Sequence, residues 1–314
     1  MTDVPESPIT LASNIGLEAK RDSGTSVLDE TPLLSLRALT KHFGPVEALR
    51  HCDLDIPAGK VTALIGDNGA GKSTLIKTIA GIYAPSSGQI FWQGKEVHIR
   101  TPREADDLGI TTVYQDLALC DNLDIVQNMF LGHEETRAGL LDEINMELET
   151  KKLLHDLSVF TVQSVRQLVG SLSGGQRQAI AVARAVMRDA KLVIMDEPTA
   201  ALGVSQTAQV LDLIRRLGER GIAVLVVSHN LSDVFSVADR LAVLYLGALV
   251  SSGPITGYDT QSAVELITTG RSHDQETPAG TPTPTPADGA LAEEPRPNGA
   301  VPPAGDPPTT PPGG

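Results

Sequence analysis

The chain has 314 residues, 41 % apolar and only 3 % aromatic, enough for one large or two modest domains with a real core. Its net charge of −14 divides into −4 over residues 1–30, −5 over residues 273–314 and −5 in between, so no basic field exists to attract nucleic acid. The longest strong apolar run, residues 222–227, is strand length and far short of the ~18 residues of a membrane span, and Cys52 and Cys120 show no metal-ligand spacing, the usage of a reduced, cytosolic protein.

Residues 1–30 mix Ser, Thr, Asp and Glu without sustained periodicity and are expected to be disordered. The opening MTDVPESPIT is acidic with no apolar stretch, so no secretory signal is expected. Residues 31–272 are expected to hold the fold. Short apolar runs at 61–65, 110–114, 192–195, 222–227 and 241–245 read as strands buried on both faces. Helical stretches at 73–80, 176–186, 205–217 and 232–237 separate them. That alternation predicts an α/β fold around a mostly parallel sheet. Over about residues 117–188 the pattern turns helical, as in EINMELETKKLLHDL, and reads as a helical insert. No internal repeat is visible. Residues 273–314 carry twelve of the 21 prolines and almost no branched apolar residue. They are expected to form a disordered, Pro-rich C-terminal tail with polyproline II character.

After the strand at 61–65 stands Gly66-Asp67-Asn68-Gly69-Ala70-Gly71-Lys72-Ser73-Thr74, followed by a helix. This is the phosphate-loop pattern G-x-x-x-x-G-K-[ST] in its strand–loop–helix context. Glycines let the backbone N–H groups curl around a phosphate, and the helix adds its positive end. Lys72 supplies a cation for the β- and γ-phosphates, Ser73 a hydroxyl for Mg²⁺ and Thr74 a further phosphate contact.

The run Leu192-Val193-Ile194-Met195-Asp196-Glu197-Pro198 ends an apolar strand in two acids. Asp196 is expected at the carboxyl edge of the sheet beside the phosphate loop, holding Mg²⁺ directly or through water. Glu197, one residue on, is positioned to orient or deprotonate a water.

About 20 residues before Asp196 stands Ser171-Leu172-Ser173-Gly174-Gly175-Gln176. It resembles the LSGGQ signature of ATP-binding cassette (ABC) ATPases. Locally, Ser173 and the glycines open a helix whose amides suit an anion. The resemblance covers about residues 34–270. It implies a P-loop NTPase (RecA-like) core with a β-rich N-terminal part and the helical insert, binding ATP and Mg²⁺. By the same resemblance, Gln115 is the glutamine that senses metal and water and faces the membrane subunit. His229 is the histidine near the γ-phosphate, and Phe43 stands where an aromatic stacks on adenine. Where the family often has Asp, this chain has Gly203. The family closes head to tail, so Ser173, Gly174, Gly175 and Gln176 act on the ATP of a second copy, and a homodimer is implied.

Two stretches are similar to the single-cassette sugar importers of the fructose, xylose and ribose kind: Val113 to Asp124 with Asn128 to Gly132, and Glu197 to Thr207, Gly203 included. That resemblance implies the ATPase subunit of a monosaccharide importer at the cytoplasmic face of the cell membrane. Its implied partners are membrane permease subunits and, indirectly, an extracellular sugar-binding protein. Three alternatives stand beside it. One is a cassette for a non-sugar substrate, and one is a catalytically dead cassette. The last is a non-transport ABC ATPase, which would need inserts or basic surfaces that the sequence lacks.

Overall fold

A computed structural model describes residues 32–271. The segments expected to be disordered, 1–30 and 273–314, lie outside the described residues. The chain opens with β1 (Leu34–Phe43), β2 (Val46–Ile56), β3 (Val61–Ile65), α1 (Lys72–Ile79), β4 (Ser87–Trp92), β5 (Lys95–Val97), α2 (Pro102–Leu108) and β6 (Ile110–Val113). Then follow α3 (Ile125–Phe130), β7 (Thr136–Arg137), β8 (Leu140–Leu141), α4 (Glu143–Asp156) and α5 (Gly174–Met187). The last part is β9 (Leu192–Asp196), α6 (Val204–Glu219), β10 (Ala223–Val227), α7 (Leu231–Val237), β11 (Arg240–Tyr245), β12 (Ala248–Pro254) and α8 (Thr260–Thr269).

Two sheets build the body. A six-stranded sheet runs β12-β11-β3-β10-β9-β6. Its five strands from β11 to β6 are parallel, and β12 closes one edge antiparallel. A four-stranded antiparallel sheet, β2-β1-β4-β5, is the expected β-rich N-terminal part.

The burial explains the unbroken apolar runs. In β9, Leu192 and Ile194 face the antiparallel sheet, packing in one cluster with Leu34, Leu36 and Ile90. Val193 and Met195 face the other way, in a cluster with Ile180, Val182, Leu213 and Ile214 from α5 and α6. A strand covered on both faces has no polar side, so its sequence does not alternate. Each fully buried Leu or Ile contributes roughly 1.5–3 kcal/mol. A third cluster joins Ala63, Ile65, Leu241 and Val243 to Val234 of α7 and to Ala263 and Leu266 of α8.

The expected helical insert is only partly helical. It holds α3, α4 and α5, but β7 and β8 form a small antiparallel hairpin between α3 and α4. Ala138 and Gly139 at its turn both have positive φ, 53° and 83°. That is the backbone of the tight turns that match strand twist. No helix among the described residues is long and apolar enough to cross a membrane.

Candidate active site

The phosphate loop runs from the end of β3 to the start of α1. Glycine is required there by close approach. A Cβ on Gly71, whose φ is 106°, would stand 2.7 Å from the Ala48 carbonyl oxygen, and one on Gly66 would stand 2.2 Å from that of Leu244. The loop is thereby pressed between β2 and the end of β11. It closes on itself through Ala70 N–H to the Asp67 carbonyl at 3.1 Å and is tied down by Gly247 N–H to the Ala70 carbonyl at 2.9 Å. The N-cap of α1 is Gly71, which offers no side-chain cap. The first amides of α1 therefore stay free for an anion, reinforced by the helix dipole.

An open cleft of about 530 Å³ spreads over this loop. Asn68, Gly69, Gly71, Lys72, Ser73 and Thr74 form its floor, and Gln115, Asp196 and Glu197 come in from the ends of β6 and β9. Three sequence segments more than 120 residues apart at their extremes thus meet because β3, β9 and β6 end on the same edge of a parallel sheet. The Lys72 ammonium donates to the carbonyls of Gly66 at 2.7 Å and Asp67 at 3.0 Å. Burial pulls the Lys72 pKa down, and the carboxylates of Glu197, Asp67 and Asp196 oppose that pull. Burial pushes the Asp196 carboxyl above its usual range, with Glu197 adding to the rise and Lys72 opposing it.

Glu197 continues the strand path of β9 through its N–H, which donates to the Val227 carbonyl at 2.9 Å. Its own φ is 52°. That turn swings the side chain to His229, whose Nδ1 lies 2.9 Å from Glu197 Oε2. The Glu197 side chain is 18 % exposed and that of His229 is 73 % exposed, so the imidazole sits at the rim and the carboxylate inside.

The oxygen donors fit a magnesium ion. Ser73, Asp196 and Gln115 offer a hydroxyl, a carboxylate and an amide carbonyl in one cleft. Magnesium prefers such hard donors and keeps most of its shell for water and phosphate. No cluster of three or more His, Cys, Asp or Glu suited to a metal occurs among the described residues.

The signature residues lie elsewhere. Ser173 is the N-cap of α5, in a reciprocal capping box with Gln176. Ser173 N–H donates to Gln176 Oε1 at 2.9 Å, and Gln176 Nε2 donates to the Thr161 carbonyl at 2.6 Å. Gly174 and Gly175 lie against α6 and the turn before it: an added Cβ would stand 2.7 Å from Leu202 Cδ2 and 3.0 Å from Gln206 Cβ, respectively. None of the four lines the cleft. Phe43 also lies outside the lining. It is 41 % exposed and meets Tyr83 edge to face, with ring centroids 5.1 Å apart and Lys41 Nζ 5.1 Å from its ring.

One tie spans the two regions. Arg184 of α5 donates to the carbonyls of Leu117 and Ala118, both at 3.0 Å, fixing the segment behind Gln115 to the helix that begins after Ser173. A second, narrower cleft of about 180 Å³ opens there, lined among others by Asp106, Tyr114, Asp116, Arg184 and Arg188.

Sequence reasoning missed the walls of the main cleft. Val46, Glu47, Ala48 and Arg50 of β2 and Leu246 and Gly247 of the β11–β12 turn line it. Arg50 N–H donates to the Gly247 carbonyl at 2.7 Å, which brings these walls together.

Residues 49–200 match the family model described as ABC transporter. The chain is 44 % identical over 246 residues to the fructose import ATP-binding protein of Rhizobium meliloti, covering 76 % of this chain and 95 % of that one. It is 44 % identical over 236 residues to the xylose/arabinose import ATP-binding protein of Sulfolobus acidocaldarius, covering 75 % of this chain and 94 % of that one. A ribose import ATP-binding protein of Escherichia coli O157:H7 is 40 % identical over 240 residues, 76 % of this chain but 46 % of the longer relative. Among solved structures, an ATP-binding cassette of an ABC transporter in its ADP conformation superposes with a TM-score of 0.63 at 26 % identity, over 76 % of this chain and 95 % of that one.

Proposed function

The chain belongs to the ABC transporter family, and on that premise we propose that it is the ATP-hydrolysing subunit of a monosaccharide importer, for a sugar of the fructose, xylose or ribose kind. The observation that carries this reading is the near full-length likeness to the fructose and xylose/arabinose import proteins, at 44 % identity in each case. The cleft supports the chemistry, since it joins Lys72, Ser73, Gln115, Asp196 and Glu197.

In this reading the amides from Gly66 to Thr74 and the Lys72 ammonium bind the phosphates of ATP. Ser73, Asp196 and Gln115 hold Mg²⁺, which supplies charge neutralisation for the transferred phosphoryl group. The Glu197 carboxylate orients the attacking water and takes its proton, and His229 at the rim holds that carboxylate in register. Phe43 presents a ring to adenine.

The signature residues Ser173, Gly174, Gly175 and Gln176 complete the site of a second copy, a reading supported by their absence from the lining of this chain's own cleft. Closure of two copies on ATP then moves the segment behind Gln115. That segment borders the narrower cleft, the face on which a membrane permease subunit docks. The chain works at the cytoplasmic face of the membrane, with an extracellular sugar-binding protein feeding the permease from the other side.

The test is uptake of labelled fructose, xylose, ribose and galactose by cells lacking the gene, restored with unsubstituted or Glu197→Gln protein. Loss of one sugar, rescued only by the unsubstituted form, supports the reading and names the substrate. Normal entry of all four sugars contradicts it.

A further inference from the structure

Glu197 and His229 sit on separate loops, one after β9 and one after β10. The Glu197 loop is held in a backbone that residues with side chains avoid: φ is 52° at Glu197 and 60° at Ala201. Between them the chain folds on itself, with Ala200 N–H donating to the Glu197 carbonyl at 3.1 Å and Leu202 N–H to that of Thr199 at 3.3 Å. At the centre of this turn, Thr199 Oγ1 donates to Asp233 Oδ2 at 2.7 Å.

Asp233 stands in the first turn of α7, the helix that follows His229 directly. Its backbone is fixed. Asn230 caps the helix through Ser232 N–H at 3.1 Å, Asn230 N–H donates to Ser228 Oγ at 3.0 Å, and Val234 and Val237 are buried under the sheet. The two loops are therefore joined twice, at the front by Glu197 to His229 and behind by Thr199 to Asp233. The rear bond has a neutral hydroxyl donor and a carboxylate acceptor, the stronger kind of hydrogen bond.

We propose that Thr199 and Asp233 form a clasp that positions Glu197 against His229, making both of them positioning residues for ATP hydrolysis. The inference rests on the reading of Glu197 as the carboxylate that activates water. Neither residue lines the cleft, and the phosphate-binding groups stand on a different loop. Losing the clasp therefore slows the chemical step and leaves nucleotide binding in place.

The test compares full-length Thr199→Val, Thr199→Ser and Asp233→Ala with the unsubstituted chain. Thr199→Val and Asp233→Ala are each expected to lower kcat for MgATP about tenfold, the scale of one hydrogen bond to a charged group, with KM within about twofold. Thr199→Ser keeps the hydroxyl and is expected to restore kcat to within about threefold. The double variant Thr199→Val with Asp233→Ala is expected to be no slower than the slower single one. In Thr199→Val, amide hydrogen exchange is expected to rise over both residues 197–202 and 228–233.

An unchanged kcat in Thr199→Val, additive losses in the double variant, or unchanged exchange in both segments overturns the clasp. So does a loss of kcat that comes with an equal rise in KM and no rescue by Ser. If the unsubstituted chain hydrolyses no ATP, the proposed function fails instead, and the exchange measurement still decides the clasp.

Discussion

Glu197 Oε2 lies 2.9 Å from His229 Nδ1, a contact between residues at the ends of two neighbouring parallel strands. The pairing of β9 with β10 puts Asp196 beside Val227, so the next residues on each strand converge without any long excursion. A carboxylate held from one side has one face left for water. Replacing His229 with Ala frees that carboxylate to rotate. We expect kcat for ATP hydrolysis to fall about a hundredfold, the lower range for a group that supports acid–base catalysis, while KM stays within about threefold. Steady-state phosphate release at varied ATP reads both numbers.

Lys72 bridges two loop carbonyls and faces Asp196 and Glu197 across the cleft. Nucleotide that binds only the folded state stabilises it by about 2.7 kcal/mol at a hundred times its Kd. For a fold of this size that is a rise in Tm of roughly 5–10 °C. Lys72→Ala is expected to remove most of that rise in a thermal melt with and without MgATP.

Asp196 carries a built-in cost. Burial is the largest influence on its carboxyl and raises its pKa, and the attraction of Lys72 does not cancel it. A carboxyl whose folded pKa lies above the unfolded value destabilises the fold once it ionises. Below about pH 4 it is neutral in both states and costs nothing. The cost sets in as pH rises past the unfolded value of about 4 and is complete once pH exceeds the raised folded value. Asp196→Asn is therefore expected to melt at a higher temperature than the unsubstituted chain at pH 7 without nucleotide. The gain fades as pH falls toward 4, and the variant loses Mg²⁺-dependent hydrolysis. Melts across that pH range check the sign.

Gly175 is buried against α6, and a methyl group there would stand 3.0 Å from Gln206 Cβ. Both atoms belong to helices, so neither yields freely. Gly175→Ala is expected to push the start of α5 away from α6 at a cost of about 1–3 kcal/mol. A melt should show a Tm lower by several degrees. Hydrolysis that needs a second copy should fall further than stability alone accounts for.

The parts of the fold carried by local pattern were legible in the sequence. Expected and observed strands agree closely at β3, β9, β10 and β11, because buried parallel strands announce themselves as short apolar runs. The phosphate loop, Asp196 and Glu197 were legible for the same reason, since the loop follows one such strand and the two acids end another, whereas Gln115 was read through the family resemblance. The β7–β8 hairpin was not, because two-residue strands carry no periodicity and both its leucines, Leu140 and Leu141, are exposed. The cleft walls at Arg50 and Gly247 are set by a bond between residues almost 200 positions apart, and no local pattern encodes that. Phe43 does not line the cleft itself but pairs in register with Val46, which does. In the fold its ring already packs edge-on with Tyr83.

The most direct test measures phosphate release from MgATP by the purified full-length chain, unsubstituted and Glu197→Gln, with molar mass followed by light scattering. The account predicts steady release by the unsubstituted chain and none above background by Glu197→Gln, together with a doubling of the mass of Glu197→Gln when ATP is added. Equal release by the two proteins, or a mass that ATP leaves unchanged, would contradict it.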